Sequence, residues 1–324
     1  MYQSELPKNK NYNYENPYRV YALKIPDTIY FAGEKILLNS PDLRERMDRE
    51  LLVNTYWQSN TLLLIKRANK FFPKIEKILR KEGVPDDFKY LALIESGLQN
   101  VTSPSGAKGF WQIMRNTGLE MGLEINSNVD ERYNLSLSTK IASKYLKKAK
   151  KKFGTWTLAA ASYNRGISGI QKNLNFQIAK YFAVLWPIGF FPFAPGTIAS
   201  LFAAYLGYLT NIYLGSIFTL LFAIFTGILG WWATKLYLET CNKKDPSEVV
   251  VDEFSGQLIA TSIAGASPFL NILALLLFRF FDILKPGIIG KAEKLKGATG
   301  VMMDDWLSGI LSALILFVLY LFGL

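Results

Sequence analysis

The sequence predicts an all-α protein in two parts, a soluble helical domain followed by a polytopic helical membrane domain. Three observations lead there. From about Asp42 the apolar residues recur at three- and four-residue steps, the period of an amphipathic helix. After Asn175 the chain turns into long apolar stretches. The charge divides at the same place: residues 1–175 hold 28 Lys and Arg against 17 Asp and Glu, whereas residues 176–324 hold 9 of each, so the first part carries the whole net charge of +11. At 324 residues there is chain enough for two domains.

Composition narrows the chemistry. The sequence has no histidine, so a His base, a Ser-His-Asp triad and His-ligated zinc are excluded. The single Cys241 excludes an internal disulfide and a cysteine metal cluster. Acid–base or metal chemistry must therefore rest mainly on carboxylates. The basic first part suits nucleic acid, an anionic membrane surface or an anionic wall polymer, and charge alone does not choose among them. The N-terminal residues are polar and lack the apolar core of a secretory signal, so export is not expected.

Residues 1–50 read as an N-terminal arm, rich in Tyr, Asn and Pro near its start, with an extended run expected at Arg19–Ile25. Residues 51–175 read as the soluble domain. Two helical runs lead to Gly83, and Pro85, Asp86 and Asp87 supply a cap-like start for the next helix. Tyr90, Leu91, Ile94 and Leu98 are expected to share its buried face, with Glu95 beside it. A carboxylate at the C-terminal end of a helix, among apolar neighbours, is favoured in its neutral form and suits a general acid.

Three ordered motifs surround that glutamate: Glu95–Leu98, Ser103–Met114 and Ala160–Gly166. Together they resemble the lytic transglycosylase domain of the lysozyme-like superfamily, over about Leu51 to Leu174, with the membrane-bound lytic murein transglycosylase D type most similar. The resemblance implies a lysozyme-like fold and peptidoglycan, not nucleic acid, as partner. It makes Glu95 the acid that protonates the glycosidic oxygen between N-acetylmuramic acid and N-acetylglucosamine and then acts as base. The sugar's own 6-hydroxyl attacks, giving a 1,6-anhydro product, so no second carboxylate is needed. Ser105, Gly106, Ala107 and Gly109 would let the backbone approach the glycan. Gln112 and Asn164 would offer amides to acetamido groups, and Tyr163 would bond Glu95 or stack on a sugar. The family has a further aromatic-bearing helix that closes the cleft, whereas this chain runs directly into Gln171–Gln177, so a shortened cleft is expected.

Residues 176–196 form the junction and 197–324 the membrane domain. The apolar stretches are Ile178–Phe193, Thr197–Leu209, Ile212–Leu238, Leu258–Phe281 and Trp306–Leu324. Pro187 and Pro192 break the first, which is expected at the interface. The next two should form a hairpin broken at Thr210 and Asn211, with Trp231, Trp232 and Tyr237 at the interfacial end. A straight helix from Asp252 to Asp282 would be roughly 45 Å long against a hydrocarbon core of roughly 30 Å. Its acids could not then meet. Gly265, Ser267 and Pro268 near the middle predict a re-entrant hairpin that returns them to one side. Ionisable groups gathered at a membrane face are costly, which makes function the default reading.

Ala194–Thr197, Asp245–Glu248 with Asp252–Gln257, Phe278–Asp282 with Lys285 and Pro286, and Gly300–Asp305 resemble phosphatidylglycerophosphatase A from about Ala179 to the end. That resemblance implies Mg²⁺-dependent removal of the terminal phosphate from phosphatidylglycerophosphate, giving phosphatidylglycerol. Oxygen ligands suit Mg²⁺. In the roles expected here, Asp252, Glu253, Asp304 and Asp305 bind metal and Asp282 is a further ligand or the base that orients water. Arg279, Lys285 and Lys296 neutralise phosphate oxygens.

Lys235, Lys243, Lys244, Lys285, Lys291, Lys294 and Lys296 share the expected site face, which the positive-inside rule puts in the cytoplasm of a bacterial inner membrane. If the junction does not cross, the first domain lies there too, away from the peptidoglycan. Two enzyme readings follow: a bifunctional membrane protein, or a working lipid phosphatase whose lysozyme-like half is a truncated remnant or glycan-binding module. A third, in which the membrane part is only an anchor, leaves the acid clusters unexplained.

Overall fold

A computed structural model describes residues 23–241 and 246–322. Among the described residues the regular elements are helices and one β-hairpin, and the two compact units divide between Ile170 and Gln171.

In the first unit the hairpin pairs β1 (Thr28–Phe31) with β2 (Glu34–Leu37), an element the all-α expectation did not contain. The extended run expected at Arg19–Ile25 lies largely outside the described residues, and 23–25 are irregular. The hairpin is held by specific contacts: Phe31 meets Phe88 edge-on, and the Ala32 N–H donates to Asp87 Oδ2 at 2.7 Å. Asp87 and Asp86, expected as helix caps, are used otherwise, since Asp86 pairs with Arg80.

α1 (Pro41–Tyr56), with Ser40 as its cap, and α2 (Gln58–Lys81) precede the short α3 (Lys89–Ser96). The core gathers Ile75, Leu79, Phe88, Ala92, Leu98, Trp111 and Leu146. The expected buried face of α3 is corrected. Ala92 and Ser96 point inward, whereas Ile94 is 75% exposed and Tyr90 48%. Leu98 is buried and Leu91 packs against the core as expected, so the correction concerns Tyr90 and Ile94 alone: with only two turns before Gly97 stops it, α3 turns these two outward. α4 (Arg115–Glu120), α5 (Leu135–Phe153) and α6 (Trp156–Arg165) complete the unit.

α7 (Ile167–Ala183) takes the chain across the division and ends before a turn at 184–194 containing a cis Trp186–Pro187 bond. The broken character expected of Ile178–Phe193 lies in that turn.

The second unit contains α8 (Pro195–Tyr213), α9 (Ser216–Leu238), α10 (Val251–Ala264), α11 (Pro268–Leu284), α12 (Ile288–Ala292) and α13 (Ala298–Leu321). α10 is its centre, packed by α8, α9, α11 and α13 and buried on nearly every side. Small and hydroxylated residues such as Ser255, Gly256, Ala260, Thr261 and Ser262 let four neighbours approach it. α9 and α13 are long and apolar enough to cross a membrane. At 14 residues α10 is about 21 Å long, less than a bilayer core.

Three expectations change here. The α8–α9 break falls at Leu214 and Gly215, because Asn211 is inside α8, buried, and donates to the Thr261 and Gly265 carbonyls. Tyr237 is no interfacial anchor: it is buried, stacks on Phe176 and bonds Glu248 Oε1. α13 begins at Ala298, not Trp306, so Asp304 and Asp305 lie within it. Gly265 and Ser267 turn the chain between α10 and α11 as expected, with Ser267 Oγ accepting from Leu270 N–H. Lys243 and Lys244 lie outside the described residues.

Candidate active sites

In the first unit three motifs are tied together through backbone carbonyls. α3 ends at Gly97, whose left-handed conformation permits the cap, and puts Glu95 in the last turn. The next residue, Ser96, donates its hydroxyl to the Phe110 carbonyl at 2.8 Å. Tyr163 on α6 donates to the Trp111 carbonyl at 2.7 Å, and Trp111 is fully buried with its indole N–H on Thr139. The loop 103–114 is thereby clamped from both sides.

Glu95 is half-buried and has no hydrogen bond or ion pair among the described residues. Burial pushes its carboxyl above the ordinary value. Tyr163 lies near enough to feel its charge, and burial, then Glu95, push the phenol well up.

The other expected glycan contacts are distributed unevenly. Asn164 and Tyr163 line a cavity of about 230 Å³ with Ile113, Met114 and Tyr145, a wall that does not include Glu95. Ser105 is exposed and shares a hydrogen bond with Ser103. Gly106 donates to the Ser103 carbonyl, and its own carbonyl accepts from Arg132. The Gln112 amide is turned inward, donating to the Val101 and Gly109 carbonyls at 3.0 and 2.8 Å, so it braces the loop. Gly109 is small because a Cβ there would meet the Arg132 carbonyl oxygen at 2.1 Å. Arg132, 3% exposed, pairs with Asp130 and donates to the Gly106 and Ile113 carbonyls. Sequence reasoning missed this internal tie, which looks like any surface arginine until its burial is seen.

In the second unit the four sequence blocks meet at one cavity of about 790 Å³. Its wall holds Asp252, Glu253, Asp282, Glu293, Asp304 and Asp305 against Arg279, Lys285, Lys294 and Lys296. Every site residue expected of the phosphatase domain is among them. Asp252 and Glu253 form the first turn of α10, where the helix dipole favours anions. The Glu253 N–H donates to Asp252 Oδ1 at 3.0 Å. α13 brings in Asp305, so that one oxygen from each of Asp252, Glu253 and Asp305 lies within 4.8 Å of the others.

The start of α8 closes on this cluster. A Cβ at Gly196 would fall 2.0 Å from Glu253 Oε1, so any larger residue there would displace that carboxylate. Thr197 Oγ1 accepts from Arg279 Nη2 at 3.1 Å, and Arg279 also pairs with Asp282 one turn along α11. Thr197 belongs to the Ala194–Thr197 motif, and its contact with Arg279 gives it a place in the site.

Asp304 differs from its three neighbours. Its Oδ2 accepts from Lys285 Nζ at 2.8 Å, and that ammonium also reaches Glu293 Oε1 at 2.8 Å. The expected four-carboxylate set thus separates into a cluster of three and one acid engaged by lysine. Lys285 stands in left-handed backbone at the end of α11 and is held charged by Asp304 and Glu293 against the cost of its burial. Lys296 is exposed at the rim. Buried oxygens of Glu253, Asp304 and Asp305 have no protein partner. Buried carboxylates without protein partners, beside a cluster of three acids whose oxygens approach within 4.8 Å, suit a hard divalent cation such as Mg²⁺.

The bundle and its cavity define an enzyme with a pocket walled by carboxylates and fixed cations, joined to a helical unit in which Glu95 is half-buried without a hydrogen-bond or ion-pair partner among the described residues. Residues 181–320 match the phosphatidylglycerophosphatase A family, and the chain belongs to it. Residues 73–182 match the transglycosylase SLT domain. A Bacteroides thetaiotaomicron protein, provisionally named a phosphatidylinositol-3-phosphatase, is 40% identical over 139 residues, covering 40% of this chain and 84% of that one. Phosphatidylglycerophosphatase A of Haemophilus influenzae is 36% identical over 129 residues, 38% of this chain and 77% of that one. Membrane-bound lytic murein transglycosylase D of Escherichia coli is 29% identical over 155 residues, 46% of this chain. The chain spans 33% of that transglycosylase's length. No solved structure matches.

Proposed function

We propose that the second unit hydrolyses the terminal phosphomonoester of phosphatidylglycerophosphate, with Mg²⁺ held by Asp252, Glu253 and Asp305. The observation carrying this reading is the meeting of four separate sequence blocks at one cavity, whose lining acids include carboxylate oxygens without protein partners. When bound, Mg²⁺ supplies a Lewis acid for the phosphoryl oxygens. Arg279, Lys285 and Lys296 neutralise the phosphate as charge shifts. Asp282 takes the proton of the attacking water while Arg279 orients its carboxylate.

Two relatives carry different headgroups in their names, and a lipid phosphomonoester is common to both. Phosphate release from phosphatidylglycerophosphate and from phosphatidylinositol 3-phosphate, measured side by side in mixed micelles, separates the substrates. Turnover of the glycerophosphate lipid is expected to exceed the other at least tenfold, and the reverse order would reassign the headgroup.

In this reading α9 and α13 span the bacterial inner membrane and α10–α11 is a re-entrant hairpin whose turn at Gly265 stays inside. Lys235, Lys285, Lys291, Lys294 and Lys296 favour a cytoplasmic site.

The first unit carries a second activity, lytic cleavage of peptidoglycan with a 1,6-anhydro product, making the chain bifunctional. An unpartnered, half-buried Glu95 with a raised pKa supports it. Digestion of purified peptidoglycan is the test, with anhydro-ended muropeptides expected from the wild type and none from Glu95→Gln. Equal wall binding by both proteins with no fragments from either would leave a glycan-binding module beside a working phosphatase.

A further inference from the structure

The sequence of α12 and its flanks, KPGIIGKAEKLKG, reads as a basic surface run in which Glu293 is one acid among lysines. In the fold Glu293 does something narrower. Lys285 Nζ lies between two carboxylates at equal distances of 2.8 Å, Asp304 on one side and Glu293 on the other. The partners are unlike. The Asp304 side chain is 7% exposed and fixed within α13, whereas Glu293 is 48% exposed, just past the end of α12. All three residues line the same cavity.

We propose that Glu293 is a displaceable stand-in for the substrate phosphate: it occupies Lys285 in the empty site and yields that contact to the phosphomonoester. This rests on the phosphatase reading above. Lys285 has three N–H donors, and Asp304 keeps one while the other acid can leave. The backbone need not move, because Ile289 and Ala292 are buried and hold α12 in place. The half-exposed carboxylate can swing into water at little cost. It must swing away, since a dianionic phosphate on Lys285 would repel it.

Glu293 therefore sets a threshold for occupancy of the site. A dianionic phosphomonoester competes with it for Lys285 better than a singly charged phosphodiester. The product is such a diester, so the same carboxylate favours its release. Glu293 is a specificity-determining residue that acts through Lys285 and takes no proton from the reaction.

The test compares wild type, Glu293→Gln and Glu293→Asp in full-length protein, with two readouts. Steady-state phosphate release from phosphatidylglycerophosphate gives KM and kcat, and calorimetric titration with inorganic phosphate in Mg²⁺ gives Kd without turnover. For Glu293→Gln, KM and the phosphate Kd are expected to fall together about fivefold with kcat within a factor of two, and Glu293→Asp should restore both towards wild type. An unchanged or weaker phosphate Kd in a Glu293→Gln protein of unaltered Tm would overturn the proposal. Tighter phosphate binding by Glu293→Gln in a protein that turns over neither lipid would uphold the stand-in role and sink the substrate reading instead. If Glu293→Gln does not fold, Glu293→Asp decides: its shorter side chain should reach Lys285 less well and tighten phosphate at least slightly, and weakened binding would count against the proposal.

Discussion

Gly256 on α10 and Gly309 on α13 approach so closely that neither has room for a side chain. A Cβ on Gly309 would lie 2.2 Å from the Gly256 carbonyl oxygen, and one on Gly256 would lie 2.5 Å from the Asp305 carbonyl oxygen. The two helices are pressed together one turn from the carboxylates, and this contact sets the distance between Asp305 and the Asp252–Glu253 pair. The site is built by helix packing as much as by its acids.

Gly309→Val should therefore damage the site from outside it. Forcing a side chain into packed helices costs about 1–3 kcal/mol, and the displacement moves Asp305 with α13. A Tm lowered by several degrees and a fall in phosphate release of tenfold or more are expected. Wild-type turnover with a wild-type Tm would show that the close approach is dispensable.

Glu95 has a distinct pH signature. Burial raises its folded-state value above the unfolded 4.5, so the stability linked to its neutral form is complete below 4.5 and is lost as pH rises through the folded value. Glycan cleavage by the wild type should decline over the same rise, as the acid loses its proton. Glu95→Gln should remove cleavage at every pH and flatten the stability profile there, as read by muropeptide release and thermal melts from pH 4 to 8.

Glu34 carries the opposite sign. Despite a burial cost, the Thr157 hydroxyl, the N–H groups of Trp156 and Thr157, and Lys150 hold its carboxyl at about 2. Its folded value is depressed, so the linked stability is present above 4.5 and is lost as pH falls towards 2. This carboxylate caps α6, the helix bearing Tyr163 and Asn164, from the hairpin arm. Glu34→Gln should lower Tm at pH 7 while shrinking the further loss on acidification to pH 3. An unchanged Tm at pH 7 would mean that the arm does not brace α6.

Much of this was legible in the residues, for definable reasons. The distance between Asp252 and Asp282 along a straight helix, set against bilayer thickness, required a turn, and Gly265, Ser267 and Pro268 marked it. Glu95 before Gly97 placed an acid at a helix end. What stayed hidden depends on contacts between distant segments. Gly256 and Gly309 are two glycines among 24, and nothing local says that they touch. Asn211 reads as a loop residue because asparagine ends helices, yet the Thr261 and Gly265 carbonyls keep it inside α8. The β-hairpin was lost among the polar residues of the arm because its partners, Asp87, Phe88 and Thr157, lie far along the chain. Tyr90 and Ile94 follow helical spacing but face outward, since a two-turn helix has only one small buried stripe.

The central claim is that Asp252, Glu253 and Asp305 form one metal-dependent phosphomonoester site. A Mg²⁺ titration of phosphate release from phosphatidylglycerophosphate, run on the full chain and on Asp252→Asn, Glu253→Gln and Asp305→Asn proteins of verified Tm, tests it most directly. The account predicts no release without divalent cation, saturable activation of the wild type, and at least a hundredfold loss in each variant. Metal-independent release by the wild type, or ordinary Mg²⁺ activation of the Asp305→Asn protein, would contradict it.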